Sequence, residues 1–590
     1  MPLPGCVARF EQQGQQELSL THASTQILRH TMGGSEDVKW LGSEVTVALI
    51  FGLIACLYTA YRYITGNNDY FTKRNVPYIK PTFFFGSVKS LVLRRTSLCD
   101  HVIAVYNQLD GHKIAGMFDF LRPSYVVRDP ELIKYITVKD FDHFVDVPII
   151  IPEDAEPILT KGLQSLKGQK WKDMRSTLSP AFTSSKMKIL FTVVSETGQQ
   201  LTTHLENCYR QQQATAKHES MSEPSDVLSL ELKELFTKYT NDVIATAAFG
   251  IQCNTLENPD NEFYKMGKEF NNISLLRIII FIAYSYIPKV MKMLGARLVP
   301  KKTADFFRTL VRETIKFREQ EGIIRPDMIH LLMQVRQDNL WEDGSSSDVN
   351  LESQNTSTQD ITRSTKISLD TDDIAAQALV FFSAGFEAVA TLLSFSTLLL
   401  AVHQDIQNQA REEVDKVLAE HGGQVTYEAV QSIKYLDNIL SETLRIYPPA
   451  PLISRKCVKE YQVPGSDLKI EKDSSVMVPI VGLHYDSNYF PNPETFNPDR
   501  FSEDNKHSIQ PFTYMPFGSG PRHCIANRFA LMETKTALVH LLSHFELHTT
   551  SKTQLPLRLV KGLKMAPEGD FWCGFKLRKP ISNVTSSEHD

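Results

Sequence analysis

Apolar residues recur every three to four positions over 185–206, 261–293, 303–321, 327–338 and 371–402. That period places one face of an α-helix against a core. Short runs rich in β-branched and aromatic residues stand near 125–127, 462–470 and 475–480, the length and composition of strands. The pattern predicts a mainly α fold of the α+β kind, helix-rich with small β-sheets. Residues 344–367 (GSSSDVNLESQNTSTQDITRSTKI) are polar and aperiodic and read as a loop between two helices. No internal repeat is present.

The first eighty residues follow a different pattern. The run 45–61 (VTVALIFGLIACLYTAY) carries no charge, and Trp40, Tyr58, Tyr61 and Tyr63 stand near its ends as interfacial anchors do. It is a candidate membrane anchor, 40–64, somewhat short against the ~20 residues of a usual span. A buried core helix or a cleaved signal peptide is the alternative. Glu36, Asp37 and Glu44 precede it, and Arg62, Lys73, Arg74 and Lys80 follow, so the positive-inside rule puts the C-terminal part in the cytosol. Residues 65–86, basic and with two prolines in NVPYIKP, read as a stiff hinge. The polar, Gln-rich segment 1–39 reads as an unstructured extension, with Met32 a candidate true start. Residues 581–590 read as a disordered tail, leaving 87–580 as one folded domain.

Composition narrows the function classes. With 590 residues, 42% hydrophobic and 22% charged, the chain can bury a large core. The net charge of −5 and the absence of a long basic run argue against nucleic acid as a partner. Eight cysteines are scattered without a C-x-x-C pair, which argues against zinc, iron–sulfur clusters and a disulfide framework.

One cysteine stands apart. In 517–530 (FGSGPRHCIANRFA) two glycines and a proline force an irregular loop, and helical spacing begins after Cys524. Free amides at a helix start stabilise a thiolate, the form that binds iron. A cysteine so placed is more often a plain buried residue, and other motifs change that weight. Glu442 and Arg445 form E-x-x-R on one helix face, Arg500 lies in PDRF, and Trp171 and Arg175 lie at i and i+4 in KWKDMRSTLSPAF. Ala384, Gly385, Phe386 and Glu387 sit in a long apolar helical run whose single charge is Glu387.

Together these motifs resemble the cytochrome P-450 superfamily over almost all of 75–579, most like insect microsomal family nine, which is similar to the vertebrate drug-metabolising enzymes. The resemblance implies that fold as a heme domain, with heme b as cofactor and Cys524 as its axial iron ligand. It places Phe517, Gly520 and Arg522 in the heme-binding loop, and Trp171, Arg175, Arg455 and Arg522 against the heme carboxylates, for which a guanidinium fork is suited. It makes Glu442, Arg445 and Arg500 a structural triad. It assigns oxygen activation to Ala384, Gly385, Glu387 and Ala388, glycine allowing close backbone approach and Glu387 serving proton supply or a local hydrogen bond.

Two positions depart from the family pattern: Ala388 replaces the usual threonine, which puts efficient proton delivery in question, and Ala526 replaces a glycine. The implied activity is a monooxygenase that inserts one oxygen atom of O2 into lipophilic small molecules, such as plant toxins and insecticides. Electrons would come from NADPH through a separate NADPH-cytochrome reductase, with cytochrome b5 a second candidate donor. The site would be the endoplasmic reticulum membrane. A heme-thiolate isomerase or dehydratase, and a non-catalytic heme-containing ligand-binding protein, are the alternatives. By the resemblance the substrate pocket is expected from 141–166, 275–293, the central helix within 371–402, 449–453 and 562–565, and 275–293 reads equally as a core helix or as a face dipping into membrane. Lys167, Lys170, Lys172, Lys186 and Lys188 form a candidate docking patch for an acidic reductase.

Overall fold

The computed structural model describes residues 35–148, 151–152, 155–218, 226–272, 274–325, 327–344 and 369–578. Most of the N-terminal extension with Met32, the loop 345–367 and the tail 581–590 lie outside these residues. The chain divides into two compact units, with the boundary after Asp69.

Among the described residues of the first unit a long helix runs Ser35–Thr65, over the run read as the anchor. Its apolar segment Val45–Thr65 has a mean hydropathy of 1.7, and none of it is buried. The uncharged run alone is short for a span, but the helix carries it to 21 residues, which meets the ~20 that a bilayer core requires. Apolar on every side, it lacks the polar face of a helix at a protein surface.

The hinge is corrected by the second unit, which begins at Tyr70. Phe71 is fully buried, with ring contacts to Tyr78, Phe118 and Tyr125. Ile79 N–H donates to Gly116 O at 3.0 Å, and Gly116 N–H donates to Pro77 O at 2.7 Å. Arg74 pairs with Glu471 and lies over the Tyr70 ring. Residues 70–79 are therefore docked structure, because their aromatic side chains have a core to enter and the prolines leave enough N–H groups to bond the sheet edge.

Small sheets flank the helices as predicted. β1 (Ile114–Asp119) pairs antiparallel with β2 (Arg122–Val127). Short β3 (Leu228–Glu231) belongs to a second sheet. β4 (Ile453–Lys456) pairs antiparallel with β7 (Ser475–Val478), which runs parallel to β2, giving the order β1-β2-β7-β4. The run 462–470 is a hairpin of two-residue strands, β5 (Tyr461–Gln462) and β6 (Lys469–Ile470), because Pro464, Gly465 and Ser466 turn the chain within it. β7 stops at Val478 because Pro479 follows. β8 (Phe545–His548) and β9 (Trp572–Leu577) complete the second sheet in the order β3-β9-β8.

The helical predictions hold at 185–206, 303–321, 327–338 and 371–402, where helices run Ser184–His218, Lys301–Glu321, Met328–Gly344 and Thr371–Val402. The run 261–293 breaks into Glu262–Asn271, Leu275–Tyr286 and Pro288–Met293. Ser274 accepts the Arg277 N–H and so starts a new helix, and Pro288 opens the third. The central helix, Thr371–Val402, starts in a capping box between Asp370 and Asp373. Leu393, Phe395, Leu398 and Leu400 are buried in one cluster with Leu436, Ile439, Leu538 and Leu541. Truncating any of these to alanine costs about 2–5 kcal/mol, so the helix that crosses the site is held rigidly.

Candidate active site

The central helix contains one irregularity: Gly385–Val389 forms a single π-helical turn. Such a widened turn is rare and clusters at functional sites. It faces a cavity of about 670 Å³ whose opposite wall is the Cys524 loop. Val380, Phe381, Ala384, Gly385, Ala388 and Leu392 line the helix side, all without a hydroxyl.

The Cys524 loop is built by its glycines. Cys524 N–H donates to Phe517 O and His523 N–H donates to Gly520 O, both at 2.9 Å. Gly520 has φ +71°, and a Cβ there would overlap the carbonyl oxygen of Thr137. Only glycine allows that approach. Ala526 has φ −100°, where an alanine is unstrained, so the departure from glycine is accommodated. The helix Asn527–His544 starts directly after it.

The Cys524 thiol lines the cavity. Burial pushes its pKa up, and the Ala526 amide and Arg175 pull it down by less. A cation facing the thiol would favour its thiolate form.

Trp171 and Arg175 both reach the cavity from the helix Gly168–Leu178, as their spacing predicts. The Arg522 guanidinium lies 4.2 Å from the centre of the Trp171 ring and donates to Val145 O and Leu166 O, each at 2.7 Å. Arg455 on β4 is buried, and its Nε has no partner. Burial lowers the pKa of Arg455 to about 10, and burial with the nearby Arg455 charge lowers that of Arg522 to about 9. Burial also lowers Arg175. The carboxylate that offsets this charge at Arg522 is Asp146, 4.0 Å away and already accepting the Gly168 N–H. Three crowded cations and an orphaned guanidinium nitrogen fit a bound group that carries carboxylates.

Glu442 and Arg445 are fully buried and doubly bonded, Arg445 Nε to Glu442 Oε2 at 2.7 Å and Arg445 Nη2 to Oε1 at 2.8 Å. Arg500 Nε approaches Oε1 at 3.3 Å, so the three expected residues do come together. Sequence reasoning missed His484, which links them to the Cys524 loop. Its Nδ1 meets Arg445 O at 3.0 Å, and its Nε2 accepts the Met515 N–H at 3.1 Å. A lone histidine in VGLHY carries no periodic or motif signal.

Glu387 is placed otherwise than expected. Its carboxylate is half exposed on the outer face of the central helix and pairs with Lys233 at 2.9 Å, away from the cavity wall. Positions 381, 384, 385, 388 and 392 share the inner face, and 387 falls outside that arc on the helical wheel. Of the two roles expected, the local interaction is the one present. Gly385 also serves packing, since a Cβ there would meet Ile244 at 3.1 Å.

The pocket expectation is corrected in part. Residues from 141–166 and 449–453 line the cavity, and those from 275–293 and 562–565 do not. Helix Met328–Gly344 takes their place with Met328, His330, Leu331 and Gln334, a contribution that no motif signalled. In the basic cluster Lys172 pairs with Asp142, Lys188 pairs with Glu428, and Lys186 lines the cavity.

Residues 77–573 match the profile of the family described as Cytochrome P450. The chain belongs to the cytochrome P450 family. It is 48% identical to Cytochrome P450 9e2 of Blattella germanica over 531 residues, 90% of this chain and 97% of that protein. It is 36% identical to Probable cytochrome P450 9f2 of Drosophila melanogaster over 534 residues, 89% and 97% of the two chains. Cytochrome P450 6k1 of Blattella germanica is also 36% identical, over 530 residues, 88% and 94%. These relatives place the chain with insect family nine of the cytochromes P450. It is a monooxygenase with a heme-iron cofactor.

Proposed function

We propose that the cavity holds heme b and that Cys524 Sγ would bind its iron. Trp171, Arg175, Arg455 and Arg522 would hold the heme carboxylates, and Phe517 and Gly520 would shape the loop beneath. The observation that carries this reading is the one half-buried cysteine thiol on a cavity that it shares with three under-neutralised arginines. Bound there, the heme supplies the activation of dioxygen and the transfer of one oxygen atom to substrate. Ala384, Gly385 and Ala388 would form the cavity wall on the side where substrate reacts, and Glu387 stands outside that wall, paired with Lys233. Glu442, Arg445 and Arg500 lock the chain beneath the Cys524 loop.

The substrates are lipophilic small molecules, xenobiotics such as plant toxins and insecticides. Val380, Phe381, Leu392, Leu452 and Ile453 supply apolar contact and few polar groups to dictate one orientation. Electrons come from NADPH through a separate reductase that docks by the lysines around Trp171, with cytochrome b5 a second donor. The protein resides in the endoplasmic reticulum membrane, held by the Ser35–Thr65 helix, with the unit from Tyr70 onward catalytic and cytosolic. Leu275, Leu276, Ile279, Met293 and Leu294 are exposed, as are Phe83 and Phe84, and this apolar surface supports contact with lipid.

Microsomes carrying the chain, a reductase and NADPH test this against a panel of plant terpenoids and insecticides. NADPH-dependent oxygenated products, lost in Cys524→Ser together with the red-shifted Soret band of the reduced carbon-monoxide complex, are the expected result. A band unchanged by the serine would refute Cys524 as the ligand.

A further inference from the structure

The π-helical turn is held from outside. Phe386 O accepts Thr240 Oγ1–H at 3.1 Å, and Glu387 O accepts Lys233 Nζ–H at 3.2 Å. Both donors stand on one neighbouring helix, Leu232–Ile244. Lys233 Nζ also donates to Thr391 Oγ1 at 2.6 Å, and Thr391 Oγ1–H donates back to Glu387 O at 2.8 Å. With the Glu387 carboxylate at 2.9 Å, one ammonium engages three oxygens of the central helix within a single turn. That uses the full donor capacity of a lysine.

The Lys233 ammonium is mostly buried, with a side-chain exposure of 15%, whereas Glu387 stands at 50%. Burial disfavours the charged form of Lys233, and Glu387 opposes this. A surface ion pair would leave the lysine in water and be worth little. Here the lysine instead gives up hydration to reach backbone and hydroxyl oxygens. The side chain borders a separate polar cleft of about 410 Å³ lined by Glu231, Glu234, Thr237, Tyr264 and Lys564. Thus the same turn that offers Ala384, Gly385 and Ala388 to the cavity is fastened from the opposite face.

We propose that Lys233, seconded by Thr240, is a positioning residue for oxygenation: it clamps the widened turn Gly385–Val389 through its carbonyls and so fixes the cavity wall. The clamp acts on Glu387 O and Thr391 Oγ1, and the carboxylate is its accessory. The effect on oxygenation rests on the reading of this cavity as the reaction site; the clamp itself does not.

Hydrogen–deuterium exchange on the resting full-length holoprotein, comparing the parent with Lys233→Met, Lys233→Arg, Thr240→Val and Glu387→Gln, tests it. Lys233→Met is expected to exchange the 385–395 segment about tenfold faster or more, the worth of one lost charge-assisted bond. Thr240→Val should give a smaller acceleration in the same segment. Lys233→Arg should restore protection because its fork still reaches the carbonyl and hydroxyl, and Glu387→Gln should leave protection near that of the parent. In turnover, Lys233→Met should at least halve the product formed per NADPH, with arginine restoring it. Unchanged exchange in Lys233→Met, or equal acceleration in Glu387→Gln, overturns the clamp. Faster exchange with unaltered product per NADPH overturns its role in oxygenation while leaving the clamp.

Discussion

Replacing Arg445 by methionine removes a guanidinium that is wholly buried and bonded twice to Glu442 and once to His484 O at 2.9 Å. Glu442 would keep only Arg500 at 3.3 Å and the Asn497 N–H at 3.0 Å. An uncompensated buried charge of this kind costs about 3–5 kcal/mol. Glu442→Leu strands the arginine instead, with His484 O and a long contact to Thr495 O, and should cost a similar amount. The double variant leaves no wholly buried charge unpaired; Arg500, 13% exposed, loses its carboxylate but keeps Asn492 O, and the unpaired His484 O and Asn497 N–H cost about 1–3 kcal/mol each. Its cost should therefore be close to that of one single variant rather than the sum of the two, giving a coupling energy of about 3–5 kcal/mol. Urea titrations of the detergent-solubilised full chain, followed by heme absorbance and tryptophan fluorescence, measure all four corners of the cycle. Single-variant costs that add in the double variant to within about 0.5 kcal/mol would refute the buried pair as a coupled unit.

Gly520→Ala combines a left-handed backbone, costing about 1–2 kcal/mol, with overlap on Thr137 O, whereas Gly518→Ala at φ +74° shares the backbone cost but meets only ordinary contacts at 4.0 Å. Heme retention after purification should fall sharply in the first and slightly in the second, and equal losses would contradict the close approach. Ala388→Thr places a hydroxyl on an otherwise apolar wall and should raise product and lower hydrogen peroxide per NADPH; a change of ~1.4 kcal/mol between competing barriers suffices for tenfold. His484 is buried with its pKa lowered from the ordinary value to about 3. Below pH ~6.5 the unfolded chain binds a proton that the folded chain refuses, so stability falls as pH drops from there toward 3, by about 1.4 kcal/mol per unit. His484→Gln should make the acid slope of stability shallower by one proton, and an unchanged slope would place the loss elsewhere.

The sequence carried the parts of the site that depend on local spacing. Trp171 and Arg175 at i and i+4, and Glu442 and Arg445 at i and i+3, meet their partners because helix geometry alone puts each pair on one face. The helix-rich fold with small sheets was legible for the same reason. Lost were the features set by contacts between distant segments. Residues 70–79 read as part of a hinge because Lys73 and Arg74 stand beside the prolines of NVPYIKP, yet Phe71 and the Gly116 bonds dock them. Residues 261–293 read as one helix because apolar spacing continues across Ser274 and Pro288, where capping chemistry outweighs periodicity. His484 and Lys233 act through carbonyls far away in sequence, which no spacing rule can find.

The outward turn of Glu387 is the case where motif and geometry part most clearly. A motif fixes the order of residues along a helix, but the face each occupies depends on the register of the turn. Extra width between 385 and 389 shifts every later side chain relative to the earlier ones. With Ala384 and Ala388 inward and Glu387 drawn to Lys233, the described central-helix residues on the cavity wall offer neither a hydroxyl nor a carboxylate. Any proton reaching the cavity past this helix must then travel by water or be carried by the substrate. Lys233 matters to that balance because releasing it would both free the acid and relax the turn, two changes that act on proton supply through different atoms.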